Sequence, residues 1–446
     1  MTAPMTRDQA HGIIERAIKM SKAEGVAVNV NANVTGNTRF AANQLTTSGV
    51  IEGSGFAVES FFGNKHAVVT TDDLSDASIQ RAITQSEKLA KLAPDDPEVM
   101  PALPPQTYTQ VQAYHAATEA ATPLDRARAA LTALEPSRKA GNVLASGFIV
   151  TGANVAAFGN KQGLFAYHQT TTSNFTLTVR TSDGTGSGWA AADDHDWSKL
   201  DYRGVSQRAL DKAQRSRGAV AIEPGRYTVI LEPQAVGDMT QLLIGYIDAR
   251  SADEGRSPFV KAEGGNKIGE KIVDSRVTLI SDPADPQLGG QPFDGEGLPL
   301  GRQVFVENGV LKQLYYSRFW AKKQNKTATG FPTTVKMMGG TTSTDQMIAS
   351  TPRGLLITRL WYLREVDPRT ALYTGLTRDG VFLIEDGKIK QAVKNFRFNE
   401  SPIFMLNNIE ALGPAQRLAG TESGGDVVMP TLKVRDFNFT SLSEAV

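Results

Sequence analysis

The chain has 446 residues, and its 47 Lys and Arg balance 47 Asp and Glu, so the formal net charge is zero. That excludes a globally basic nucleic-acid binder and a strongly acidic solvating tail. Hydrophobic residues at 40% and charged residues at 21% are ordinary for a globular chain, and the length suggests about two to three domains. Cysteine is absent, which excludes a disulfide scaffold, a thiol nucleophile, an iron–sulfur site and any zinc site with a Cys ligand. The first residues carry no apolar core of a signal peptide, and no window reaches the roughly 18 apolar residues of a membrane span, so a cytoplasmic protein is expected.

In chain order, Thr6 and Gln9 have capping-box spacing, Ala10, Ile13, Ile14 and Ala17 follow at helical period, and Gly25 is placed as the C-cap. Alternating β-type sequence follows over 26–34, with glycine-punctuated strands to about residue 69. A second helix is predicted over 75–92. Residues 94–105 contain five prolines and read as a linker, which divides the first half near 94–120. Helical sequence resumes with Leu124, Ala127, Ala130, Leu131 and Leu134, where Arg126 and Arg128 beside Asp125 and Glu135 read as a solvated face. Strands are predicted at 143–150 and 174–181, and a helix at 202–215.

Beyond about residue 220 the character changes. A short apolar strand at 226–231 leads into helical periodicity at Ala235, Val236, Met239, Leu242, Leu243, Tyr246 and Ile247, with Pro233 suited to the first turn. After Ile272 the pattern is mostly β. Asn308-Gly309 and Asp386-Gly387 each sit between strand-like runs and signal two similar hairpins. The expected fold class is α+β: an N-terminal α/β domain over 1–220 and a β-rich domain over 221–446 with one long buried helix.

Nucleophile elbow, Walker loop and dinucleotide fingerprint are all missing. Gly264-Gly265-Asn266-Lys267-Ile268-Gly269-Glu270-Lys271 lacks the ending of a phosphate loop and reads as a plain loop. Asp193, Asp194, His195 and Asp196 form the one dense metal-type cluster, with a solvated loop as the alternative. His168 reads as packed, and His66 and His115 have no acid at ligand spacing. Tyr108 and Tyr114 are not interleaved with basic residues, so no nucleic-acid stacking platform is expected.

One ordered series of segments is more specific. It runs from Glu223-Pro224-Gly225-Arg226-Tyr227-Thr228-Val229-Ile230-Leu231-Glu232-Pro233-Gln234-Ala235-Val236-Gly237-Asp238 through Glu254-Gly255-Arg256-Ser257 and Gly269-Glu270-Lys271. It continues with Phe293-Asp294-Gly295-Glu296-Gly297, Val306-Glu307-Asn308-Gly309-Val310-Leu311 and Thr329-Gly330, and ends at Pro430-Thr431-Leu432-Lys433-Val434. In this series the chain resembles the TldD/PmbA family, well over 220–440 and more loosely before, through its helix–strand layout and Arg39-Phe40-Ala41-Ala42-Asn43.

The resemblance implies an N-terminal α/β domain, a β-rich domain enclosing a substrate channel, and a two-subunit protease acting on peptides. Its TldD-type subunit carries H-E-x-x-x-H and a later cysteine as a zinc site; the TldE/PmbA-type subunit lacks them and pairs with the first. Here Pro233 stands at the first histidine, Gln234 at the glutamate and Asp238 at the second histidine, with no cysteine available. The resemblance therefore implies a silent subunit with no cofactor of its own, zinc on a TldD-like partner, a peptide substrate, and no membrane or nucleic acid. Glu254, Arg256 and Ser257 are candidate channel residues, with an internal salt bridge as the alternative for Arg256. A homodimeric binding protein is another reading, as is a hydrolase whose metal has moved to Asp193–Asp196 or to Asp294 and Glu296. Gyrase modulation, once linked to the family, has no support in the residues.

Overall fold

The structure is a computed structural model that describes residues 4–419 and 426–443. It is a mixed α+β fold with two large sheets. The first holds six antiparallel strands: β1 (Gly25–Ala41), β2 (Gln44–Phe62), β3 (Lys65–Thr71), β4 (Val143–Asn160), β5 (Phe165–Thr181) and β6 (Ser187–Asp194), in the order β3-β2-β1-β4-β5-β6. Strict alternation makes β1 a strand: Val26, Val28, Val30, Ala32 and Val34 are buried, while Asn29, Asn31 and Asn33 lie on the opposite face. Polar outward residues do not stop it, so β1 runs on to Ala41, past the alternation read from the sequence.

Two helices cover one end of the buried face, α1 (Arg7–Met20) and α2 (Asp76–Leu92). The capping box of α1 forms as read, with Thr6 and Gln9 each satisfying the other's backbone N–H. Its C-cap is Ser21 in extended conformation, not Gly25, which instead opens β1; the chain turns without a left-handed residue. The helices Pro123–Ala140 and Tyr202–Arg215 cover the other end of the sheet, over a second apolar cluster.

Arg126 departs from the solvated face expected of it. It is fully buried, whereas Arg128 stays exposed. Its Nη1 donates to Ala121 O (3.0 Å) and Thr151 Oγ1 (3.1 Å), and Nε and Nη2 have no partner among the described residues. The guanidinium lies so close over β1 that a Cβ on Gly36 would come within 2.2 Å of it. Helical period places Arg126 with Ala129, Ala130 and Ala133 on the packed side, and the glycine makes the room.

The second sheet gathers the strands after residue 225. Strand Gly225–Leu231 pairs in parallel with Arg353–Asp367 and antiparallel with Asp426–Leu442. Both expected hairpins form. Glu307 pairs with Val310 and Glu385 with Lys388, and Asn308, Gly309, Asp386 and Gly387 all have the positive φ such two-residue turns need. The long buried helix does not form as one piece. Pro233–Thr240 is α-helical, Gln241–Tyr246 tightens to a 3₁₀ turn, and Ala249–Asp253 starts anew behind an Asp248 cap. Gly237 and Gly245 weaken a continuous α-helix there, and the apolar residues stay buried in either winding.

The proline-rich segment is held along its length by both halves of the chain. Asp96 bonds His66, Glu98 pairs with Arg250 (2.9 Å), Pro101 O accepts from Arg318, Leu103 O accepts from Asn160 (2.8 Å), and Tyr108 Oη donates to Gly297 O (2.8 Å). It is a strap that staples the two halves of the chain together. No helix among the described residues is long and apolar enough to cross a membrane.

Candidate functional site

The helix Pro233–Thr240 starts where strand Gly225–Leu231 stops, so the end of that strand fixes the helix in place. Pro233 occupies the first turn, where an N–H is not needed. Asp238 is 2% exposed. Its Oδ1 accepts from Gln234 Nε2 (3.1 Å), one turn away, and its Oδ2 accepts from the backbone N–H of Leu360 (3.1 Å). Asp238 therefore ties the helix to the neighbouring strand, and both of its oxygens are engaged.

The N-terminal turn of this helix opens on a cleft of 370 Å³ between the two sheets. Helix Tyr202–Arg215 forms one wall with Arg208, Lys212 and Arg215; Pro233 and Gln234 form the floor; Trp189, Leu356 and Phe382 contribute apolar surface. Lys212 Nζ is 2.6 Å from Glu232, and Arg417 joins Asp193 (2.6 Å) and Asp426, so both of these cations are neutralised.

The structure does not bring the cluster Asp193–Asp196 together. Asp193 bonds Asn174 and Arg417, Asp194 faces Lys199, and Asp196 caps Ser198. His195 turns inward, with Nδ1 2.6 Å from Thr171 O and Nε2 2.8 Å from Leu288 O. Both ring nitrogens face carbonyl oxygens, so neither presents a lone pair to a metal. Strand alternation at the end of β6 sends Asp193 and Asp194 to opposite faces, and the chain leaves the strand before His195 and Asp196, so the four adjacent donors do not converge. Among the described residues no group of three or more such donors is arranged to hold a metal ion.

Glu254, Arg256 and Ser257 stand apart from the cleft. Arg256 Nη2 lies 2.6 Å from Glu254, which also binds Arg250, and Ser257 is buried with its hydroxyl donated to Tyr246 O (3.0 Å). Arg256 itself is exposed. Asp294 holds the turn to Leu298, and Glu296 pairs with Arg318. His168 is packed as expected, and burial pushes its imidazole down to about 4.

Sequence spacing missed one histidine. His66 lies between Glu59 (Nδ1, 2.6 Å) and Asp96 (Nε2, 3.1 Å) in a 610 Å³ cavity behind the strap. The register pairs Phe61 with His66 across a Gly63-Asn64 turn, so Glu59, two residues from Phe61, lies on the same face as the ring. That turn was the available signal.

Burial alone would lower the His66 pKa, but its hydrogen bonds to Glu59 and Asp96 outweigh that and raise it above 6.5. The N–H of Glu98 and the His66 ring hold the Asp96 carboxyl below the usual 3.8. The contribution of His66 is full below its unfolded pKa and is lost as pH rises through the raised folded value; that of Asp96 is lost only as pH falls through its lowered value. The stabilisation of wild type over His66→Gln is therefore expected to persist from about pH 4 to about pH 6.5 and to fade at higher pH. Thermal unfolding of both proteins across that range checks it; a difference in Tm that does not change with pH contradicts it.

Comparison with known proteins adds the decisive observation. Three consecutive family models match: PmbA/TldA metallopeptidase domain 1 over 26–90, the central domain over 72–217 and the C-terminal domain over 224–441. The chain belongs to the PmbA/TldD family. A protein named Metalloprotease from Methanothermobacter thermautotrophicus is 29% identical over 235 residues, 49% of each chain. Metalloprotease PmbA of Escherichia coli O157:H7 is 24% identical over 175 residues, 38% of each. The chain thus spans about half the length, or less, of these curated relatives. The crystal structure of TldE from Thermococcus kodakarensis superposes with a TM-score of 0.84 at 19% identity, covering 96% of this chain and 99% of that one, which establishes the shared fold.

This helix is where the TldD-type zinc motif would fall, and the residues present do not fit the metal. Pro233 has no donor atom, Gln234 offers an amide, and both oxygens of Asp238 are already bonded within the protein.

Proposed function

We propose that this chain is the non-catalytic subunit of a two-chain PmbA/TldD-type peptidase in the cytoplasm, helping to form the chamber that admits unfolded or small peptides. A TldD-like partner supplies the zinc. One observation carries the reading: the helix that would bear the metal is rebuilt as a packing element, with Asp238 spent on Leu360 and Gln234. The cleft at its N-terminus nevertheless stays open between the sheets, as a chamber wall requires.

The test is native mass spectrometry of the tagged protein isolated from its own cells without chelator. A one-to-one complex with a second, zinc-bearing chain is the expected result. Zinc on this chain, or a homo-oligomer with no partner, overturns the reading.

A further inference from the structure

The cleft beside Gln234 contains guanidinium groups that no described residue pairs with. Arg208 and Arg215 both line it, seven residues apart on helix Tyr202–Arg215, so they share a face about 10 Å apart along the axis. Neither has a hydrogen-bond or ion-pair partner among the described residues. The other two cations of the cleft, Lys212 and Arg417, are paired. Asp211 also lines the cleft but accepts from Gln207 (2.8 Å) and pairs with neither arginine, so the two guanidinium groups stay open to a ligand.

The floor and far wall complete a recognisable pattern. Gln234 is 7% exposed; its Nε2 is committed to Asp238, while its Oε1 has no partner among the described residues and is not sealed from the cleft. That oxygen can accept an amide N–H. Trp189, Leu356 and Phe382 give the cleft an apolar side. A guanidinium pair matches a carboxylate, an amide oxygen matches a backbone N–H, and apolar surface matches a side chain.

We propose that this cleft binds the carboxyl-terminal end of a peptide. Arg208 and Arg215 take the terminal carboxylate, Gln234 accepts the last backbone N–H, and the apolar wall receives the last side chain. This rests on the peptide-chamber reading above and specifies which end of the peptide this subunit holds.

The experiment measures binding of a leucine-terminated hexapeptide to the full chain by calorimetry, as the free acid and as the C-terminal amide. The free acid is expected to bind at least about tenfold tighter, as a charge-assisted contact predicts. Arg208→Gln with Arg215→Gln should erase that preference, and Arg128→Gln, at an exposed arginine on another helix, should leave it intact. Both arginines of the cleft are exposed, so the variants should fold, which the unfolding midpoint verifies. Equal binding of acid and amide, or a preference that survives the double variant, overturns the inference. Failure of the free acid to bind overturns it as well. Whether the subunit reading stands is then decided separately, by the zinc-bearing partner in the mass spectrum.

Discussion

Replacing Arg417 by alanine is expected to lower stability by about 3–5 kcal/mol, the usual consequence of removing one partner from a buried charge pair. The side chain is only 11% exposed and joins both halves of the molecule. It bonds Asp193 on β6 (2.6 Å), Asp426, and the carbonyl oxygens of Gln287 (2.9 Å) and Leu288 (3.0 Å). Its loss strands the Asp193 carboxylate, which burial already pushes above 3.8 against the pull of Arg417 and Asn174.

The sign of the pH effect follows. A carboxyl whose folded pKa is raised binds protons more tightly when folded, so its contribution worsens as pH rises above the unfolded value. Removing Arg417 raises the folded value further. The deficit of Arg417→Ala is therefore expected to be smallest near about pH 4 and largest at neutrality. Urea midpoints at several pH values measure it, and a deficit that stays constant with pH would show that Asp193 does not carry it.

Asp379 gives the second large effect. It is almost fully buried in the β-rich half, yet it accepts from Ser187 of β6 (2.7 Å) as well as from Arg359 (2.9 Å), with Arg378 at 3.8 Å. The Arg359 guanidinium lies over the rings of Trp189 and Trp361, at 4.8 and 5.5 Å. Asp379→Ala leaves this arginine unpaired and puts alanine at φ +56°, for a combined cost of about 4–6 kcal/mol. Asp379→Asn tolerates that backbone and keeps a hydrogen bond, so about half the loss is expected. Tryptophan fluorescence during unfolding reads both variants. Midpoints equal to wild type in both would remove the charge pair as a stabilising element.

The features legible in the sequence are those set within a few residues of one another. The Thr6 cap, the second helix, the helix at Tyr202–Arg215 and the two tight hairpins all formed as read, because propensity and turn chemistry act locally. Arg126 and His66 were misread because their surroundings come from distant segments: Gly36 leaves room for one, and strand register plus the strap surround the other. The zinc-motif helix was found through the ordered family segments, but no spacing shows that Asp238 is bonded to Leu360. The cleft itself is assembled from residues as far apart as Trp189 and Thr431, so it exists only once both sheets are in place.

The second sheet also dictates when the protein can fold. Following the pairings from Gly225–Leu231 through Arg353–Asp367, Leu372–Glu385, Phe396–Glu400 and Asp426–Leu442 leads back to Gly225–Leu231, a closed circuit of strands. Its first member leaves the ribosome some 200 residues before its last, a gap that folding must close by bringing distant segments together. During translation that early strand, with Val229, Ile230 and Leu231 unpaired, is an apolar edge awaiting its partner. The nascent chain therefore depends on protection from aggregation until residues 426–442 are made, whereas the six-stranded sheet, complete by residue 194, has every strand it needs long before.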